Sequence, residues 1–111
     1  MKAQELAVKA IEAINGKGIF AVEFFLTESG EVLLNESAPR PHNSGHYSIE
    51  GCISSQFENH VRSVLGRPLG SSQTTANAAA MLNLLGTHNR PAETENISTA
   101  LSYENGHLHV Y

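Results

Sequence analysis

Two apolar, β-rich runs, Ile19 to Thr27 and Val32 to Ala38, flank the tetrapeptide Glu28-Ser29-Gly30-Glu31. Apolar runs of this length around a Ser-Gly turn define an antiparallel hairpin. A two-residue turn at Ser29-Gly30 sets Glu28 opposite Glu31. Five residues further back along each strand, it sets Glu23 opposite Glu36. Directly opposed side chains have Cβ atoms roughly 4.5–5.5 Å apart, and like charges so placed are destabilising. In this register Ala21, Phe25, Leu34 and Ala38 share the glutamate face, and Phe20, Val22, Phe24, Leu26 and Leu33 share the other. Both faces are apolar enough to predict a sheet covered on both sides.

A carboxylate pair in that setting needs a cation, a shared proton or a basic neighbour. All eleven acids of the chain are glutamates. An oxygen-only ligand set suits Mg²⁺, which takes one or two carboxylates and completes its shell with water and phosphate oxygens. The competing reading is a longer loop and a register shifted by one residue, which puts the two acids on opposite faces as surface groups. Spacing alone leaves both open.

The segment Pro39-Arg40-Pro41-His42-Asn43-Ser44-Gly45-His46-Tyr47 has no periodicity and reads as an ordered loop. His42 and His46 stand four apart, but Pro41 and Gly45 argue against the helix that would turn both imidazoles toward zinc. Histidines in loops are more often simply exposed. Arg40, His42, Asn43, Ser44 and His46 together nevertheless offer cationic and neutral donors suited to a phosphate or carboxylate.

The flanking segments predict helices. Leu6, Ala7, Ala10, Ile11 and Ile14 fall on one face of a helix over residues 4–15 that Asn15-Gly16 ends. Ser55-Gln56-Phe57-Glu58 has the capping-box pattern, with Phe57, Val61, Val64 and Leu65 on one face before Gly66 and Pro68. Beyond a Ser/Thr linker at 71–75, the run 76–86 suits a helix or a buried strand equally. Thr87 to Asn96 carries few order signals, and Ser98 to Tyr103, Asn105-Gly106 and His107 to Tyr111 predict a second hairpin. Gly16-Lys17-Gly18 lacks the pattern of a phosphate-binding loop and reads as a helix-to-strand turn. Cys52, among Ile49, Ile53 and Phe57, reads as a buried structural thiol. His60 suits a solvated or half-buried helical face, and His88, His107 and His109 lack a local partner pattern. The fold class is therefore α/β (α+β), divided into residues 1–70 and a small C-terminal β-rich subdomain at 71–111.

Seven Lys and Arg against eleven Glu give a net charge of −4, which argues against nucleic acid or an anionic membrane as partner. The acidic residues near the N-terminus argue against a signal peptide or membrane anchor there. The single cysteine points to a cytoplasmic setting.

The residues Ala21-Val22-Glu23-Phe24-Phe25, the run Leu34-Asn35-Glu36-Ser37-Ala38-Pro39-Arg40-Pro41-His42-Asn43-Ser44-Gly45-His46-Tyr47 and Ser55-Gln56-Phe57-Glu58 closely resemble the N5-carboxyaminoimidazole ribonucleotide synthases. These are biotin-independent ATP-grasp enzymes of purine biosynthesis. The resemblance extends through Leu69 and, more weakly, to Tyr111. It implies the C-terminal part of an ATP-grasp domain, with Glu23 and Glu36 as ligands of Mg²⁺ (or Mn²⁺) on the ATP phosphates and Asn35 beside them in the nucleotide site. It also implies that Arg40, His42, Asn43 and Ser44 contact bicarbonate and 5-aminoimidazole ribonucleotide, with Arg40 as the catalytic cation that steadies the acyl phosphate or the ribonucleotide's phosphate. The implied reaction phosphorylates bicarbonate with ATP and transfers the carboxyl group from carboxyphosphate to the ribonucleotide's exocyclic amine. The implied assembly is a homodimer.

Family members also carry a nucleotide-fold domain and an ATP-gripping lobe upstream, and a glycine and basic motif downstream. The resemblance therefore implies that this chain corresponds to the last third of such an enzyme and is inactive alone. Two other readings stand beside it: a non-catalytic binding or assembly module that keeps the fold, and a sibling ATP-grasp ligase with another acceptor.

Overall fold

The computed structural model describes residues 2–86 and 97–110. They form two compact units, one running through Ala79 and the other starting at Ala80. The expectation for Thr87 to Asn96, with His88 in it, lies outside the described residues, as does Tyr111.

The first unit begins with α1 (Lys2–Ile14). Asn15 ends it in the left-handed region at φ 50°, its N–H donating to the Glu12 carbonyl at 3.1 Å. Asparagine tolerates this conformation because its short polar side chain bonds locally. The turn through Gly16 to Gly18 leads to β1 (Ala21–Leu26), which pairs antiparallel with β2 (Val32–Ala38).

The hairpin differs from the predicted one in two places that compensate. Its loop has three residues, not two: the Gly30 N–H donates to the Thr27 carbonyl at 2.9 Å, and the Thr27 N–H donates to the Glu31 carbonyl at 2.9 Å. Gly30 takes φ 81°, the left-handed residue that such three-residue loops require. Nearer the turn the partners are therefore Leu26 with Val32, Phe25 with Leu33 and Phe24 with Leu34. Asn35 is then an extra residue in β2, a bulge, and beyond it Glu23 faces Glu36 and Ala21 faces Ala38. The loop moves the register by one residue and the bulge moves it back. One consequence corrects the predicted faces: Leu33, not Leu34, shares a face with Phe25.

After the hairpin come a 3₁₀ turn at Asn43–Gly45, the short helix α2 (Ser48–Gly51) and α3 (Gln56–Val64). The Ser55 hydroxyl accepts the Glu58 N–H at 3.1 Å, as the capping pattern predicts. Gly66 at φ 65° closes the far end. The presumed linker at 71–75 is instead bonded to the segment before α3. Ile53 and Ser54 donate to the Gln73 and Ser71 carbonyls, and Thr75 donates to the Gly51 carbonyl, each at 2.9 Å. These bonds use the main-chain N–H and C=O that every non-proline residue carries, so a Ser/Thr-rich stretch pairs when an opposite segment supplies partners. Residues 76–86, left open between helix and strand, form no regular element.

In the second unit, α4 (Ile97–Leu101) replaces the first strand of the predicted second hairpin, and residues 107–110 form no strand. Gly106 is used for close approach, since a Cβ there would strike the Ala100 carbonyl oxygen. Its N–H closes a turn onto the Tyr103 carbonyl at 2.9 Å. The Asn-Gly signal is thus spent on packing a turn against the end of a helical segment rather than on joining two strands.

The interior of the first unit is small and polar. Cys52 is the buried hydrophobic residue among those described, and Ser48, Ser54 and Asn59 are the buried polar ones. Asn59 is satisfied by Gly70, accepting its N–H at 2.8 Å and donating to its carbonyl at 3.3 Å. The sheet is not covered on both sides as predicted. Phe25 is 59% exposed and Leu26 75%, with Leu33 and Leu34 about half exposed. α1 packs beside β2 and leaves these four side chains substantially exposed.

Candidate metal and anion site

β1 and β2 bring Glu23 and Glu36 into direct opposition. The loop after β2 then folds His42 over the pair, its Nε2 3.6 Å from a Glu23 carboxylate oxygen. One donor atom from each of Glu23, Glu36 and His42 lies within 4.8 Å of the others. The His42 side chain is only 16% exposed and that of Glu23 43%, so the cluster sits at a half-sheltered rim that small ions can reach.

No lysine or arginine pairs with either carboxylate among the described residues. Two opposed carboxylates without a fixed counter-ion concentrate negative potential, and a divalent cation with oxygen preference meets that need. The donor set, two carboxylates with one imidazole nitrogen beside them, thus fits a divalent ion.

His42 is oriented from behind. Its Nδ1 bonds the Ser44 hydroxyl at 2.9 Å, which leaves Nε2 for the carboxylate side. Its backbone is extended at φ −127°, ψ 150°, and both of its peptide groups bond the Gln56 side chain. The position of α3 is coupled to the entry of β1 as well. His60 Nδ1 accepts the Ile19 N–H at 3.1 Å, and the Ser63 hydroxyl accepts the Gly18 N–H at 3.0 Å.

The residues expected at the site are partly assembled. Glu23, Glu36, His42 and Ser44 come together. Asn35 is the bulge residue that lets Glu36 reach Glu23. Arg40 is exposed and donates to the Pro41 carbonyl at 3.1 Å, and no bond links Arg40 or Asn43 to the carboxylates. Two features escaped the sequence reading: His42 as the third member of the carboxylate cluster, and Gln56 as the residue that grips it. The first depends on how a proline-rich loop folds back. The second was hidden because Gln56 occupies the first position of a well-capped helix, where a side chain carries no periodic signal.

The model of the ATP-grasp domain matches residues 1–57, just over half of the chain, and the chain belongs to the ATP-grasp family.

Within that family its relatives carry particular names. The chain is 47% identical over 116 residues to the phosphoribosylaminoimidazole carboxylase of Saccharomyces cerevisiae, a match that spans all of this chain and 20% of the yeast protein. Among solved structures it is similar to the N5-carboxyaminoimidazole ribonucleotide synthetase of Thermotoga maritima. That match has 57% identity and a TM-score of 0.63 over 65% of this chain and 20% of the other. It is also similar to the N5-carboxyaminoimidazole synthase of Aspergillus clavatus, solved in complex with ADP and 5-aminoimidazole ribonucleotide. There the identity is 53% and the TM-score 0.64, over 67% of this chain and 20% of the other. The chain thus spans about a fifth of the length of these relatives.

Proposed function

We propose that these residues form the metal-binding and anion-substrate portion of an ATP-dependent ligase that carboxylates 5-aminoimidazole ribonucleotide with bicarbonate. The observation that carries this reading is the opposition of Glu23 and Glu36 beneath His42. Glu23 and Glu36 would hold Mg²⁺ or Mn²⁺, and Asn35 would lie beside the nucleotide. The ion, when bound, neutralises charge on the ATP phosphates.

The chain's own groups do the positioning. The loop from Arg40 to Ser44 supplies donors to bicarbonate and the ribonucleotide, holding anions that would otherwise repel one another. Arg40 turns from the Pro41 carbonyl to the acyl phosphate when that anion arrives, the one rearrangement this reading requires. The overall reaction converts ATP, bicarbonate and the amine into ADP, phosphate and the N-carboxylated ribonucleotide. In the intact ligase we place this chemistry in a cytoplasmic homodimer, with the separate 111 residues inactive.

Retention of both carboxylates and of the donor loop favours catalysis over a non-catalytic module. ADP release by the intact ligase tests the reading. It should require both bicarbonate and 5-aminoimidazole ribonucleotide, and should fall to background in CO₂-depleted buffer. ADP release indifferent to the ribonucleotide, but stimulated by another amine or carboxylate, would assign the site to a sibling ligase.

A further inference from the structure

We propose that Gln56 is a positioning residue that sets His42 against Glu23, acting through the His42 backbone. This rests on the proposed function only in taking His42 as part of the reaction centre. The His42 N–H donates to Gln56 Oε1 at 3.0 Å, and Gln56 Nε2 donates to the His42 carbonyl at 2.7 Å. An extended residue presents its N–H and C=O to the same side, and a primary carboxamide offers one acceptor and one donor along one edge. The two fit as a closed ring, and only one orientation of the amide satisfies both bonds.

The grip is itself held. The Gln56 N–H donates to the Ser48 hydroxyl at 2.9 Å, and Ser48 is buried and bonded to the Gly45 carbonyl. Gly45 lies against the amide, and a Cβ at that position would stand 2.6 Å from Gln56 Oε1. The backbone–backbone hydrogen bonds of Arg40 and Gly45 are local, made to Ala38 and His42. Gln56 therefore anchors the loop to α3 and fixes where the imidazole stands. A methionine there has the length but neither polar atom, and a glutamate keeps the acceptor and sets a charge against the carbonyl.

The experiment is a cycle in the intact ligase comparing Gln56→Met, His42→Ala and the double variant, with amide hydrogen exchange read at His42. Gln56→Met should lower kcat about tenfold or more, because a displacement near 1 Å suffices for such losses. The KM for ATP should stay within about twofold, since no ATP contact is removed. In the His42→Ala background the same change should have no further effect, and the protection of the His42 amide should be lost.

Gly45→Ala, which displaces the amide without touching it covalently, should reproduce the loss and serves if Gln56→Met folds poorly. An equal loss in the His42→Ala background, or unchanged protection of the His42 amide in Gln56→Met, would overturn the assignment. If the wild-type protein shows no bicarbonate-dependent turnover, the proposed function fails and the exchange measurement still decides the role of Gln56.

Discussion

Glu23 and Glu36 are set in a position that costs stability, which separates the proposed metal-binding role from a structural one. Opposed like charges in a strand pair repel, so a residue chosen for stability at either place would be neutral or basic. Glu36→Gln keeps the size and hydrogen-bonding reach of the side chain while removing that charge–charge repulsion. In metal-free buffer the Tm of the intact ligase should stay level or rise, while the Mg²⁺ concentration needed for half-maximal turnover should rise about tenfold or more, as loss of a charged ligand implies. A fall in Tm of several degrees in metal-free buffer would show that the carboxylate supports the fold instead. His42 belongs to the same residue-scale argument: Ser44 at its Nδ1 and Gln56 on its backbone hold it over the pair.

The elements show which parts of the arrangement could be read from the sequence. Apolar spacing and local end signals located α1, the hairpin and α3, because Asn15, Ser55 and Gly66 act within one turn of the chain. The pairing of Glu23 with Glu36 was one of two readings that spacing left open, and the molecule reaches it through a three-residue loop and a bulge at Asn35 rather than through a two-residue turn. Bulges depend on cross-strand geometry and leave no local pattern. The bonds between 71–75 and 51–54, and the use of Gly106 beside Ala100, are likewise tertiary choices invisible to spacing. The loop chemistry gives a prediction at this scale. Nothing lies within 4 Å of a Cβ placed on Gly30, so substitution there acts through the backbone alone. Gly30→Ala should destabilise the hairpin by about 1 kcal/mol, seen as roughly fivefold faster exchange of the Phe25 and Leu33 amides, the inter-strand bonded pair next after Thr27 and Glu31. Gly30→Asn should cost less, because asparagine enters the left-handed region more readily; equal penalties would contradict the assignment of the turn.

At the scale of the whole molecule, the described residues bury little apolar surface. Phe25, Leu26, Leu33 and Leu34 on the sheet, Val61 and Val64 on α3, and Leu65 just after it remain exposed around an interior built from Cys52 and satisfied polar groups. Surface of that kind in one chain is a docking face or an aggregation hazard. The 111 residues by themselves should bind a hydrophobic dye strongly and unfold with a shallow denaturant transition, whereas the intact ligase should do neither. A steep transition with no dye binding would show that these faces are satisfied within the chain. The motif run identified the family but not this exposure, since the same apolar periodicity serves a covered face and an uncovered one. Mn²⁺ binding followed by electron paramagnetic resonance in the intact ligase with ADP tests the divalent site most directly. One tightly held Mn²⁺ per chain, weakened about tenfold or more by Glu23→Gln and again by Glu36→Gln, is the predicted result. Mn²⁺ affinity unchanged in the double variant would contradict it.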